Sequence, residues 1–245
     1  MPYPEITPVR QAVYFAPPPG SPWWEAGSSW LGRCAASGQL AVQPPIAALT
    51  REEQWSVTAA PRRYGWHATL KAPFRLAAAC TLPDLQRALR QLGQNHPVFD
   101  LPPLQVVQLD GFLALVPGGA NVRLQALADC CVRDLQALAA PLDAVTLARR
   151  CPPGTTDDVR ARVMAWSYAH VFDHFRFHFT LCGPLTGMPP DKITALRHAA
   201  EEHFGDLPVL RAERLWRFEE PSPGGDFLLR EGYLLRGSGH ADPVA

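Results

Sequence analysis

The run "RYGWHATLKAPF" at residues 63–74 returns in outline at residues 174–185 as "HFRFHFTLCGPL". His67 and His178 stand 111 positions apart, as do Thr69 and Thr180, Leu70 and Leu181, and Pro73 and Pro184. Aromatic residues match too, one place before each histidine (Trp66, Phe177) and three places before (Tyr64, Phe175). Side chains alternate across a strand, so His67, Thr69 and Lys71 fall on one face and Trp66, Ala68 and Leu70 on the other. In the second copy Arg176, His178 and Thr180 share a face opposite Phe177, Phe179 and Leu181. The apolar faces need a core. The polar faces must meet water, each other or a ligand, because unpaired buried polar groups are costly. A chain that writes this strand twice is expected to fold as two lobes, one strand from each lining a shared cleft.

The segments between the copies fix the fold class. Residues 10–16, "RQAVYFA", read as a strand stopped by "PPPG". Helices are expected within "WWEAGSSWLGRCA" and "PPIAALTREEQWSV", ahead of the first repeat strand at 64–71. Residues 81–96 form a helix with Thr81 as N-cap, Pro83 and Asp84 in the first turn, and a stripe of Leu82, Leu85, Leu89 and Leu92. Residues 104–117 read as a hairpin turning at Asp110-Gly111. A helix capped by Asn121 runs over 121–142, with Cys131 on its apolar stripe. Residues 143–163 read as loop and a helix start, broken by "CPPGTTDD", and lead to the second repeat strand at 175–182. A helix over 189–204 and strands over 209–220 and 226–235 close the chain. Strands and helices alternate without a regular βαβ rhythm, which predicts an α+β fold with mostly antiparallel sheets.

Composition excludes several classes. With 47% hydrophobic residues, 19% charged residues and zero net charge over 245 residues, the chain is globular and long enough for a substantial core. It lacks the basic excess of a protein that grips long nucleic acid. Six cysteines include no CxxC and no spacing suited to zinc. "MPYPEITPVRQAVYF" has no basic segment followed by a long apolar core, and no apolar run reaches the length of a membrane span. These features predict a cytoplasmic protein with reduced thiols and no membrane partner.

Two imidazoles and two hydroxyls around one cleft suit phosphoryl chemistry. Opening a cyclic phosphodiester needs one group to activate water and another to protonate the leaving oxygen, and histidine serves either task near neutral pH. Thr69 and Thr180 can donate to the non-bridging oxygens while Lys71 or Arg176 offsets the charge. Arg63 and Tyr14 are further pocket candidates. His170 and His174 flank the second motif and read as structural. Neither an HExxH run nor a carboxylate at ligand spacing accompanies the histidines, so no metal or other cofactor is expected.

The two H-x-T strands resemble those of the two-histidine phosphoesterase superfamily, which includes RNA 2′,3′-cyclic phosphodiesterases and bacterial RNA 2′-5′ ligase-like proteins. The longer runs "VYFAPPPGSPWW", "RYGWHATLKAPFRL", "DGFLALVP" and "FDHFRFHFTLCGPL" are similar to a branch encoded with phosphonate-degradation genes. The resemblance implies a bilobal α+β fold around a central cleft and metal-free catalysis. It assigns acid/base roles to His67 and His178 and phosphate binding to Thr69 and Thr180. The expected substrate is a small ribose-like cyclic phosphate, such as a phosphoribosyl cyclic phosphate. The alternatives are RNA end processing or ligation, and a non-catalytic nucleotide or RNA-binding module. Intact histidines at both positions favour the enzyme.

Overall fold

The first strand, β1 (Arg10–Phe15), is covered on both faces. Val13 and Phe15 enter the main core, while Ala12 and Tyr14 join a second cluster with Trp24, Trp216, Phe218 and Phe227. A strand buried on both sides does not need polar alternation, which accounts for the unbroken "AVYFA". These assignments come from a computed structural model that describes residues 9–237; the first eight residues of the segment read for a leader lie outside it.

Helix α1 (Pro22–Leu31) starts where the Ser21 side chain accepts from the Trp24 N–H. Two helices follow, α2 (Arg51–Val57) and α3 (Ala59–Tyr64), where the sequence suggests one. Helix α3 occupies the expected start of the first repeat strand. Gly65, with φ +79°, ends it, and β2 (Ala68–Phe74) begins only after His67. The first histidine therefore stands at the mouth of its strand.

Helix α4 (Leu82–Asn95) has the expected start: the Asp84 carboxylate accepts from the Thr81 N–H at 2.9 Å. After the short β3 (Phe99–Asp100), β4 (Leu104–Leu109) and β5 (Phe112–Pro117) form the hairpin, with Asp110 and Gly111 both at positive φ. Helix α5 (Val122–Gln136) stops short of residue 142 because the chain turns to pair with residues beyond β2. The Ala77 N–H donates to the Leu138 carbonyl, and the Ala140 N–H to that of Arg75. Two helices, α6 (Ala144–Arg150) and α7 (Asp157–Trp166), occupy the region read as loop and helix start. The second repeat is strand over two residues only, β6 (Phe179–Thr180). Helix α8 (Pro190–Gly205), the short β7 (Arg211–Ala212), β8 (Arg214–Glu220) and β9 (Leu228–Leu234) complete the described chain.

Every strand pairing is antiparallel, as expected for an α+β fold. One sheet has the order β2-β1-β8-β9, another β4-β5-β6, and β3 pairs with β7. The four-stranded sheet draws on both ends of the chain and the three-stranded sheet on its middle. Each motif strand is an edge strand: β2 of the larger sheet, β6 of the smaller.

The aromatic residues of the two copies meet in one core. Trp66 stacks on Phe179 at 4.6 Å and on Phe204 at 5.1 Å, and Phe15 lies 5.4 Å from Phe177. A Cβ on Gly27 of α1 would come within 2.0 Å of the Trp66 ring, so that glycine makes room for the stack. The apolar half of the repeat holds the two polar halves in fixed relation.

Candidate active site

Each histidine is set by its own backbone. His67 Nδ1 lies 2.8 Å from the Gly65 carbonyl, and His178 Nδ1 lies 2.7 Å from the Arg176 carbonyl. A carbonyl only accepts, so Nδ1 carries the proton in both rings and Nε2 is left as the working nitrogen. Each ring also rests on an aromatic of the neighbouring strand. Tyr14 of β1 stacks on His67 at 3.9 Å, and Phe112 of β5 lies 5.7 Å from His178 at a tilt. Burial lowers the pKa of both. His67 falls to about 4, with His178 adding to the effect, and His178 is pushed down by burial and by the Arg176 charge.

Both histidines and both threonines of the motifs line one cavity of about 520 Å³, within the range of small-molecule sites. Neither threonine hydroxyl makes a hydrogen bond among the described residues, which leaves both available to phosphate oxygens. Tyr14 lines the same cavity. Among the described residues no three His, Cys, Asp or Glu side chains gather into a metal-binding group, and no helix is long and apolar enough to cross a membrane.

Lys71 does not share the face of His67 and Thr69. Between β1 and β2, Tyr14 pairs with Thr69 and Val13 with Lys71, so one step on β1 spans two on β2. This bulge reverses the alternation. Thr69 stays with Tyr14 on the cavity side, whereas Lys71 goes with Val13 beneath α5. There it is 3% exposed and donates to Gln136 Oε1 at 2.9 Å.

The other expected cations are also engaged elsewhere. Arg63 pairs with the buried Glu220 and donates to the Gly225 carbonyl, outside the cavity. Arg176 is exposed and pairs with Asp110 at 3.1 Å. It lines a smaller adjoining space of about 150 Å³ together with His178 and His170.

The cations that do line the main cavity are Arg10, Arg149 and Arg150, with Tyr64 and Tyr168 beside them. None was evident from the sequence. Arg10 begins a strand, and the Arg149-Arg150 pair ends a helix in a segment that reads as loop. The adjacent arginines before "CPPG" were the only local signal.

Residues 69–228 match the model of a family described as "Protein of unknown function (DUF1045)". The chain is similar to a ribose 1,5-bisphosphate phosphokinase PhnN of Janthinobacterium sp. (strain Marseille). The two are 36% identical over 234 residues, or 94% of this chain and 52% of that protein. A protein of the same name from Laribacter hongkongensis (strain HLHK9) is 35% identical over 226 residues, or 90% of this chain and 50% of that protein. The chain thus spans about half the length of the curated relatives it matches. Among solved structures, E. coli LigT complexed with NADP+ aligns with a TM-score of 0.43 and 14% identity, over 93% of this chain and 98% of that one.

Proposed function

We propose that this chain, which belongs to the DUF1045 family, is a metal-independent phosphoesterase that opens a cyclic phosphodiester on a small ribose-like substrate. One observation carries the reading: two Nδ1-tethered histidines, each followed two residues later by an uncommitted threonine hydroxyl, enter one cavity from the edges of two sheets. A binding site needs no second acid/base group. An in-line displacement at phosphorus needs one on each side.

The pKa values divide the roles. His67 is the harder of the two to protonate, and a charge on His178 makes it harder still. When the pair holds one proton, that proton is on His178. Neutral His67 takes a proton from water through Nε2 as the water oxygen bonds to phosphorus. The ring P–O bond breaks, and His178 gives its proton to the departing oxygen. The products are a phosphate monoester and a free hydroxyl, with the two histidines' protonation exchanged. Thr69 and Thr180 donate to the non-bridging oxygens while charge builds there.

The named activity of the curated relatives supports the choice of sugar. Opening a 1,2-cyclic phosphate of ribose 5-phosphate at the bond to O2 gives ribose 1,5-bisphosphate, the compound in their name. The chain's two lysines, Lys71 and Lys192, stand in no G-x4-G-K-[ST] run, so P-loop phosphokinase chemistry is not part of this proposal.

The test compares kcat/KM for a cyclic phosphoribosyl compound, a cyclic mononucleotide and an RNA oligomer ending in a 2′,3′-cyclic phosphate, at two ionic strengths and after exhaustive chelation. The phosphoribosyl compound should be turned over best, with little response to salt or chelator. A strong, salt-sensitive preference for the oligomer would replace this reading with RNA end processing. Loss of turnover on removing a stoichiometric metal would end the metal-independent account.

A further inference from the structure

Arg149 and Arg150 are unexplained by the chemistry above. Two arginines in the last turn of α6 suit the helix dipole, and at an exposed helix end nothing more would be needed. Arg150, however, folds inward. Its Nη2 donates to the Pro73 carbonyl at 3.2 Å, and its guanidinium lies 5.8 Å from the centre of the Tyr168 ring. Its Nη1 is buried and has no hydrogen-bond partner among the described residues. The groups that act most on its charge are Tyr168, Arg149, Arg10 and Tyr64, with no carboxylate among them. A guanidinium drawn partly out of water, with one buried nitrogen unpaired and no carboxylate of its own, is costly unless an anion completes its contacts.

The carboxylates in and beside the cavity are committed to other cations. Glu220 lies between Arg10 and Arg63. Asp110, the acid lining the cavity, is paired with Arg176. Arg149 lines the cavity with no hydrogen bond or ion pair among the described residues. The lining of the main cavity thus combines the histidines and threonines with guanidinium charge that no lining carboxylate balances.

We infer that Arg150, supported by Arg149, holds a second phosphate group on the same substrate whose cyclic phosphate lies between His67 and His178. The substrate class is then a sugar cyclic phosphate that also bears a phosphate monoester. Guanidinium suits this role because its fork of donors matches phosphate oxygens. Tyr168, against the guanidinium, holds the fork in place. This inference rests on the phosphoesterase reading for the cyclic end of the substrate. The anion site itself rests on the arginines alone.

The experiment has two arms. In the first, kcat/KM is measured for ribose 5-phosphate 1,2-cyclic phosphate and for ribose 1,2-cyclic phosphate, in the wild type and in Arg150→Ala. The wild type should favour the doubly phosphorylated compound, and Arg150→Ala should shrink that ratio by about 10 to 10²-fold, the span of one lost charged hydrogen bond. Equal loss on both substrates, or no preference in the wild type, overturns the inference. In the second arm, calorimetry follows ribose 5-phosphate binding to the same proteins. Binding weakened about 10-fold or more by Arg150→Ala supports the site, and unchanged binding overturns it. If neither cyclic phosphate is hydrolysed, the phosphoesterase reading fails while the calorimetry still decides the anion site. Should Arg150→Ala not fold, Arg149→Ala at the exposed neighbour takes its place, with the same two criteria.

Discussion

The two H-x-T segments are built alike and placed differently. In both, Nδ1 is held by the carbonyl two residues back, the ring rests on an aromatic of the adjacent strand, and the preceding aromatic is buried in the common core. They differ in support. His67 is stacked flat on the fully buried Tyr14 at the head of a seven-residue strand. His178 leans on Phe112 at 5.7 Å, ahead of a two-residue strand and beside exposed Arg176. A repeated strand supplies two equivalent nitrogens. In the proposed mechanism, unequal burial decides which ring is neutral and which holds the proton when the pair carries one.

The comparison is broken most directly by removing either ring. His67→Ala and His178→Ala should each lower kcat by about 10² to 10⁴-fold, the usual contribution of a positioned acid or base. The double variant should fall far short of the product of the two losses, since both groups serve one transition state. Circular dichroism would establish that the variants fold, and full activity in either single variant would remove the two-histidine mechanism.

A smaller effect sharpens the division of roles. The profile of kcat/KM against pH reports the free protein, and the competent form holds one proton on the pair. Below about 4, His67 gains a proton and activity is lost; above the lowered pKa of His178, which lies below 6.5, the acid is lost. The optimum should therefore be acidic, with activity falling about tenfold per pH unit beyond either limb. A cyclic mononucleotide without a monoester phosphate keeps substrate titration out of the profile. Arg176→Gln removes a charge that holds the His178 pKa down, so the alkaline limb should move up while the acid limb stays. Movement of the acid limb instead would reverse the assignment of base and acid.

How much of this was legible in the sequence depends on the distance over which each feature is determined. The Asp110-Gly111 turn, the Thr81 cap and the opening strand are written in a few adjacent residues, and each appears in the structure. The paired motifs were legible because repetition exposed them. Arg10 and Arg150 were not, since their nearness depends on how α6 and β1 pack around a common cavity. The short β3–β7 pairing was likewise hidden, because two residues in each strand leave no period to read. Lys71 was legible but misleading. Strict alternation places it beside Thr69, and nothing in "HATLKAPF" announces the bulge that turns it away.

Lys71 therefore gives the smallest expected effect on catalysis, and a distinct one on stability. Lys71→Met should keep kcat/KM within about 3-fold of wild type, because the ammonium lies under α5 on the side of the sheet away from the cavity. A point charge reaching a phosphate would be worth more than that. Burial lowers the Lys71 pKa from 10.5 to about 8. Between those values the unfolded chain binds a proton that the folded chain does not, so the folded state gains stability as pH rises through the window. The gain is complete above 10.5 and lost as pH falls through about 8. For one group the slope is at most about 1.4 kcal/mol per pH unit. Denaturant unfolding at several pH values between 8 and 10.5 should show this rise in the wild type and a flatter dependence in Lys71→Met. A large loss of turnover with unchanged stability would return Lys71 to the cavity and place the bulge in the wrong position.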